Sequence, residues 1–373
     1  MKRLKWLALA LASGLLVVVV GVRVIYGGGR PYPDVNTEPA TTLETLVELD
    51  FPPGNVTSSA DGRIFFNTHP FARSDRFTDA FLFELVDGVP IPYPSPERQA
   101  DVMFTFGMTV DEQDRLWVIS PATLDRAQTR LQAFDLSTDT CVYDAALPEG
   151  VARFSQDLRI TPDGKTAILA DTGAFKFTDA SLIVLDLETQ ATRSVLLGHP
   201  STQPQDWTIR TGHGVHSVGW GLVTFAVGVD GITFSADGKD LYFATMTHDT
   251  LFRLPVDALL DASLDRDALA ARVEAVGRKP LSDGIDVLPD GRVLVTDVEH
   301  GSVVTISPDG ELRTQVRSHD VVWSDGVNVM EDGRVLLTDS AIPDYLDPLL
   351  RPPSLESLER GRPYRVHQFV PRG

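Results

Sequence analysis

Apolar and polar residues alternate with a period of two through most of this chain, and the alternation comes in a repeated phrase. A short apolar strand enters a polar turn, and a second apolar strand leaves it and ends on Asp, Thr or Ser. The phrase occurs six times, with turns centred on Asp61, Gln113, Asp163, Asp237, Asp290 and Asp332. Its clearest copies read SDGIDVLPDGRVLVTD (282–297) and SDGVNVMEDGRVLLTD (324–339). Most of the turns are Asp-Gly, where glycine supplies the positive φ that a tight hairpin needs. Third strands follow at 81–86, 130–135, 181–186, 250–255, 302–307 and 364–369, and weaker fourth strands at 141–147, 192–197 and 312–317. Six meanders without intervening helices predict an all-β chain folded as a six-bladed β-propeller. A β-sandwich of similar strand count gives no reason for six matched phrases. Blade six lacks a local fourth strand, and TLETLVEL (42–49) stands alone ahead of blade one. Pairing that segment onto YRVHQF (364–369) closes the ring and removes an exposed edge.

Three segments break the pattern. Lys2, Arg3 and Lys5 precede an apolar run from Trp6 to Val22, which reads as an uncleaved signal anchor or a cleaved signal peptide over 1–26. A Gly- and Pro-rich stalk over 27–41 then leads to the propeller at 42–373. Export to the periplasm or the extracellular side is expected, with attachment to the inner membrane if the helix is retained. The second break, residues 198–229, joins blade three to blade four. Antiparallel alternation puts it on the face where first strands begin, called the top here. It carries Trp207, His213, His216 and Trp220, and it is expected to cover the channel mouth with Trp207 or Trp220 facing the pocket. The third, 257–273, has Leu260, Leu264, Ala268 and Val273 at helical spacing and belongs to the opposite face as a structural element.

Composition narrows the partners. With 33 Lys and Arg against 52 Asp and Glu, the net charge of −19 repels phosphate backbones, so nucleic acid is not an expected partner. Cys141 is the only cysteine, which excludes an intrachain disulfide.

Candidate chemistry gathers at the top face. Seven residues before each hairpin centre stand Gly54, Phe106, Gln156, Asp230, Asp283 and Asp325. If the first strand of each blade is innermost, these positions ring the channel mouth. Three carboxylates and one amide from consecutive blades then form a candidate site for a divalent cation, with oxygens expected within about 5 Å of one another. Hard oxygen donors suit Ca²⁺, Mg²⁺ or Mn²⁺ better than a structural Zn²⁺. Asp171, Asp297 and Asp339 end second strands on the same face and are read as caps for loop amides. His248, Glu299 and His300 follow second strands there and are candidate general acids or bases.

The stretches DRLWVIS (114–120), LQAFDLSTD (131–139), SLIVLDLET (181–189), 227–259 and 278–310 resemble the major royal jelly/yellow protein family, over roughly residues 100–345. That resemblance implies a six-bladed propeller and a secreted protein. Some yellow-type relatives are linked to dopachrome conversion, and others bind small amines. Asp230-Gly231 and Asp283-Gly284 also resemble the Asn/Asp-Gly motif of regucalcin-type gluconolactonases. This second resemblance implies one divalent cation at the channel mouth, with Asp283 as both ligand and base. The chain departs from it in blade one, where Gly54-Asn55 replaces a glutamate, and in blade two at Phe106; Asp325 would supply the missing ligand.

Three functions remain open. The first is a cation-dependent hydrolase of a small lactone or ester using Asp283. The second is a yellow-like tautomerase with Glu299, His300 or His216 moving protons beneath an aromatic lid. The third is a non-catalytic module for a small ligand. Fold alone cannot choose among them.

Overall fold

Glycine holds the hairpin turn in five of the six phrases. Gly62, Gly164, Gly238, Gly291 and Gly333 all have positive φ, between 69° and 91°, and Asp114 takes that role in blade two at φ 56°. The neighbouring aspartate fixes each turn from its side chain. Asp163 Oδ1, for example, accepts from Thr161 Oγ1 at 2.7 Å and Lys165 N at 3.1 Å. In blade two Asp111 does this instead, accepting from the amides of Gln113 and Arg115.

The computed structural model describes residues 2–72, 76–123, 126–219, 221–345 and 362–373. Six antiparallel four-stranded sheets arise from the six hairpins and form the blades of a propeller. First strands are Pro53–Ser58, Met108–Val110, Ser155–Ile160, Val229–Phe234, Ile285–Val287 and Ser324–Val329. Second strands such as Ile64–Thr68, Val293–Asp297 and Val335–Asp339 are buried at every residue, because both of their faces meet a neighbouring blade. Six apolar clusters lie between successive blades, and they constitute the core.

Closure follows the sequence reading. Glu44–Leu49 pairs antiparallel with Tyr364–Phe369, Leu49 opposite Tyr364 and Glu44 opposite Gln368, and becomes the outer strand of blade six. Leu49 is buried beside Phe51 and Val366 at the junction of blades six and one. Truncating a buried leucine removes its transfer energy and leaves a void, so Leu49→Ala is expected to cost about 2–4 kcal/mol. Thermal melting measures this; an unchanged midpoint would show that the closing strand contributes nothing.

A seventh apolar cluster roofs the channel. It joins Ile209, Phe225 and Val227 of the insertion to Ala72, Met246, Leu281, Trp323 and Tyr345 from the top loops, and to Tyr32 from the N-terminal segment. The expected stalk is therefore a strap over part of its length. Arg30–Pro31 pairs with Trp207–Thr208, Tyr32 Oη donates to Lys279 O at 2.8 Å, and Thr37, Ala40 and Thr41 bond along the fourth strand of blade five. A Gly- and Pro-rich segment stays extended, and here extended backbone finds a free strand edge.

The N-terminal helix, Lys2–Tyr26, exposes Trp6, Leu11, Leu15 and Val17. Among the described residues no helix is long and apolar enough to cross a membrane. The uncharged run from Trp6 to Val22 has 17 residues, a rise of about 25 Å against a hydrocarbon core of about 30 Å. The insertion in blade four forms two short helices, Val256–Leu260 and Arg266–Ala270. Asp261 and Ser263 bond locally between them, and Asp265 caps the second, so the single helical face expected there is split.

Candidate active site

The sequence bends its inner strands to aim side chains at the channel. In blades one, three, four and six the pairing of first and second strands slips by one residue, between Pro53 and Val56, Ser155 and Asp157, Val229 and Ile232, and Ser324 and Val327. Each slip is a β-bulge, and its extra residue escapes the strict two-sided alternation of a strand. Gln156, Asp230 and Asp325 fall at these bulges. Glycine after the aspartate lets adjacent inner strands meet. A Cβ on Gly231 would lie 2.7 Å from Asp283 O, one on Gly284 2.6 Å from Asp325 O, and one on Gly326 2.9 Å from Asn55 Cα. The Asp-Gly pair is thus a device of convergence: the first residue reaches the channel and the second lets the next blade come close.

Gln156, Asp230, Asp283 and Asp325 line one cavity of about 40 Å³ at the channel mouth. Burial first, then repulsion from Asp283, Asp157 and Asp325, raises the Asp230 carboxyl well above the usual carboxylate range. Burial and then Asp283 do the same to Asp325. Asp283 is pushed up to about 6 by burial, against the stabilising effect of the Trp323 indole, whose Nε1 donates to Oδ2 at 2.7 Å. Left without a counter-charge, the three carboxylates repel one another across this cavity.

The cavity fits a hard cation. Asp230 Oδ2, Asp325 Oδ2 and Asn67 Oδ1 are buried without any hydrogen-bond partner, and all three residues line it. Such oxygens are costly to leave unpaired. They are also the donor type that Ca²⁺, Mg²⁺ and Mn²⁺ take.

Asn67 and His69, at the end of the second strand of blade one, escaped the sequence reading. A signal existed: Asn67 occupies the phrase position held by Thr296 and Thr338 in blades five and six. Those threonines brace inner strands through their hydroxyls, accepting from Asp283 N and Gly326 N. Asn67 instead donates its Nδ2 to the Thr105 and Phe106 carbonyls, which turns Oδ1 to the cavity wall near Gly54. His69 is buried, its Nε2 is 3.6 Å from Asp325 Oδ2, and burial lowers its pKa to about 3.

Other predicted residues go elsewhere. Trp207 does not line the cavity; it packs edge-on against Tyr32 at 4.9 Å with the Arg30 guanidinium over its ring. Trp220 lies outside the described residues. The insertion does cover the mouth, but through Phe225 and Val227. His213 pairs with Asp344 at 2.8 Å, and His216 meets Thr211 Oγ1 at 2.9 Å and the Trp323 ring at 5.6 Å. His248 turns to its own loop, accepting from Thr250 N, and meets Phe252 edge-on.

Glu299 accepts from Arg210 N at 2.7 Å, and burial raises its pKa to about 7. His300 Nδ1 contacts Asp297 at 2.9 Å, and its Nε2 lies 3.8 Å from Asp34 of the strap. Asp34, Asp297 and His300 bring ligand atoms within 4.8 Å of one another. Asn36, Ser302 and the Arg317 guanidinium already satisfy those carboxylates, so the group clasps the strap. Asp171 and Asp339 cap loop amides, Asp339 accepting from Val322, Trp323 and Ala341.

Comparison with known proteins agrees with this architecture. The family model described as Major royal jelly protein matches residues 104–335. No curated protein matches the chain. A gluconolactonase from Xanthomonas campestris superposes with a TM-score of 0.53 at 13% identity, covering 80% of this chain and 86% of its own. A protein described as a putative gluconolactonase gives 0.53 at 13% identity, covering 85% and 94%. A luciferin-regenerating enzyme gives 0.54 at 10% identity, covering 90% and 96%. At these identities the likeness is one of fold.

Proposed function

The chain belongs to the major royal jelly protein family, and from that premise and the aspartate cavity we propose that it is a divalent-cation-dependent hydrolase of small lactones or esters. The observation that carries this reading is the trio of unpartnered buried oxygens, Asp230 Oδ2, Asp325 Oδ2 and Asn67 Oδ1, around one cavity. Asp230, Asp325, Asn67 and Gln156 would hold the cation. Bound there, it would offset the carboxylate charge and polarise a substrate carbonyl.

Asp283 is the proposed base. A carboxyl raised to about 6 is ionised at neutral pH yet basic enough to take a proton from an attacking water. Its hydrogen bond from Trp323 Nε1 fixes Oδ2 and leaves Oδ1 for that proton. The fold shared with gluconolactonases is compatible with this chemistry. Glu299 and His300, the acid and base of the tautomerase alternative, do not line this cavity, which favours the hydrolase. Export remains part of the proposal, on the basic and apolar N-terminal segment.

The test is hydrolysis of a lactone panel by full-length protein stripped with chelator and then supplied with Ca²⁺, Mg²⁺, Mn²⁺ or Zn²⁺. Turnover that appears only with added cation is expected. Equal turnover with and without cation would remove the metal; none under any condition would leave ligand binding as the function.

A further inference from the structure

We propose that His69 is a further catalytic residue of this cavity, a neutral imidazole whose Nε2–H donates a hydrogen bond to the substrate carbonyl oxygen. The proposal rests on the reading of the aspartate cavity as a hydrolytic site. Its geometric basis is the tautomer. His69 Nδ1 accepts the amide N–H of Phe71 at 3.2 Å, in the turn Pro70–Ala72 that follows the strand. An imidazole nitrogen that accepts carries no proton, so the single ring proton is on Nε2.

The ring has little freedom to turn away. Phe71, Phe106 and Tyr345 surround it at centroid distances of 5.4, 6.1 and 5.9 Å, and its backbone N–H is tied to Pro52 O at 2.9 Å. Nε2 lies 3.6 Å from Asp325 Oδ2, beyond a hydrogen bond. The N–H therefore lies beside Asp325 in the cavity that His69 lines, without being used up by it. A carbonyl oxygen entering this space meets a donor.

The step balances without further reactants. Water oxygen bonds to the carbonyl carbon, and the C=O π pair moves onto oxygen, where His69 Nε2–H stabilises it. Asp283 takes the water proton. The pair returns, the ring C–O bond breaks, and the leaving oxygen recovers the proton from Asp283. His69 gives up no proton at any point. Phe71, Phe106 and Phe225 on the cavity wall suit an aryl lactone better than a polyhydroxylated one.

Dihydrocoumarin is the probe. His69→Phe keeps the ring volume and removes the donor together with the Nδ1 acceptor of the Phe71 amide, and kcat should fall about 100- to 1000-fold with KM nearly unchanged and the protein still folded. His69→Gln, which retains an N–H donor, should recover part of that loss. Nitrogen NMR of the wild-type imidazole at about pH 7 should place the proton on Nε2. A wild-type rate in His69→Phe, or a proton on Nδ1, overturns the assignment while leaving cation-dependent hydrolysis intact. A wild-type protein that hydrolyses no lactone overturns the hydrolase and the role of His69 together.

Discussion

Replacing Asp283 with Asn should lower kcat for lactone hydrolysis by about 100- to 10 000-fold, the range for loss of a positioned general base. The same substitution should make the cation-free protein more stable at neutral pH. Both effects come from one carboxyl. Burial raises its pKa to about 6, so keeping it ionised at pH 7.5 opposes folding by on the order of 3 kcal/mol. Asn keeps an oxygen for the Trp323 Nε1–H bond and carries no charge, so the cost disappears with the base. Activity assays and calorimetry on the same preparation check both halves. Full activity in the variant would rule out the base, and a lowered melting point would mean that the carboxylate is not strained.

The second large effect is a dependence of stability on pH that a cation reverses. Asp230, Asp283, Asp325 and Asp339 all have folded pKa values above the ordinary carboxylate range, with burial as the first cause in each. Between about pH 4 and pH 6 these carboxyls therefore hold more protons in the native state than in the unfolded chain and lose stability as pH rises, while His69, His216, His248 and His367, lowered by burial to about 3 to 4, gain it over the same range. Lys279 acts in the opposite sense: burial pulls its pKa down to about 7, so stability recovers as pH climbs above that value. The carboxylate contribution to cation-free stability is thus lowest near neutrality, and the difference in melting temperature between wild type and Asp283→Asn should grow from pH 5 to pH 8. A divalent cation binds the ionised carboxylates and should add about 2.7 kcal/mol at 100 times its Kd, at pH 7.5 far more than at pH 5. A difference between wild type and Asp283→Asn that stays constant from pH 5 to pH 8, with melting unmoved by Ca²⁺, Mg²⁺, Mn²⁺ or Zn²⁺, would contradict both the strain and the site.

The blades were legible because their signals are local. A hairpin needs an Asp-Gly turn and two alternating strands, all within one phrase, and the missing fourth strand of blade six pointed directly to residues 42–49. Asp230, Asp283 and Asp325 were found together because the phrase has fixed length and each precedes a glycine. Asn67 and His69 were not legible because their place at the cavity depends on the Asn67 bonds to the Thr105 and Phe106 carbonyls of blade two, which no local pattern in the sequence reveals. Trp207 was misplaced for another reason: its partner, Tyr32, is 175 positions away in the chain, in a segment whose composition suggests a free linker. Periodicity does not reveal which strand edge an extended segment will find.

The bulged inner strands have a consequence for how this molecule can change. Each blade offers the mouth one side chain from an equivalent position, and the hydrogen-bonded ladder behind it does not depend on which side chain that is. A substitution there alters the donor set and leaves the scaffold standing. Blades one and two carry Gly54 and Phe106 there, which bring no charge, while blade one offers Asn67 from its second strand. Its chemistry can therefore be rewritten one blade at a time, so that closely similar propellers can differ in reaction by very few residues.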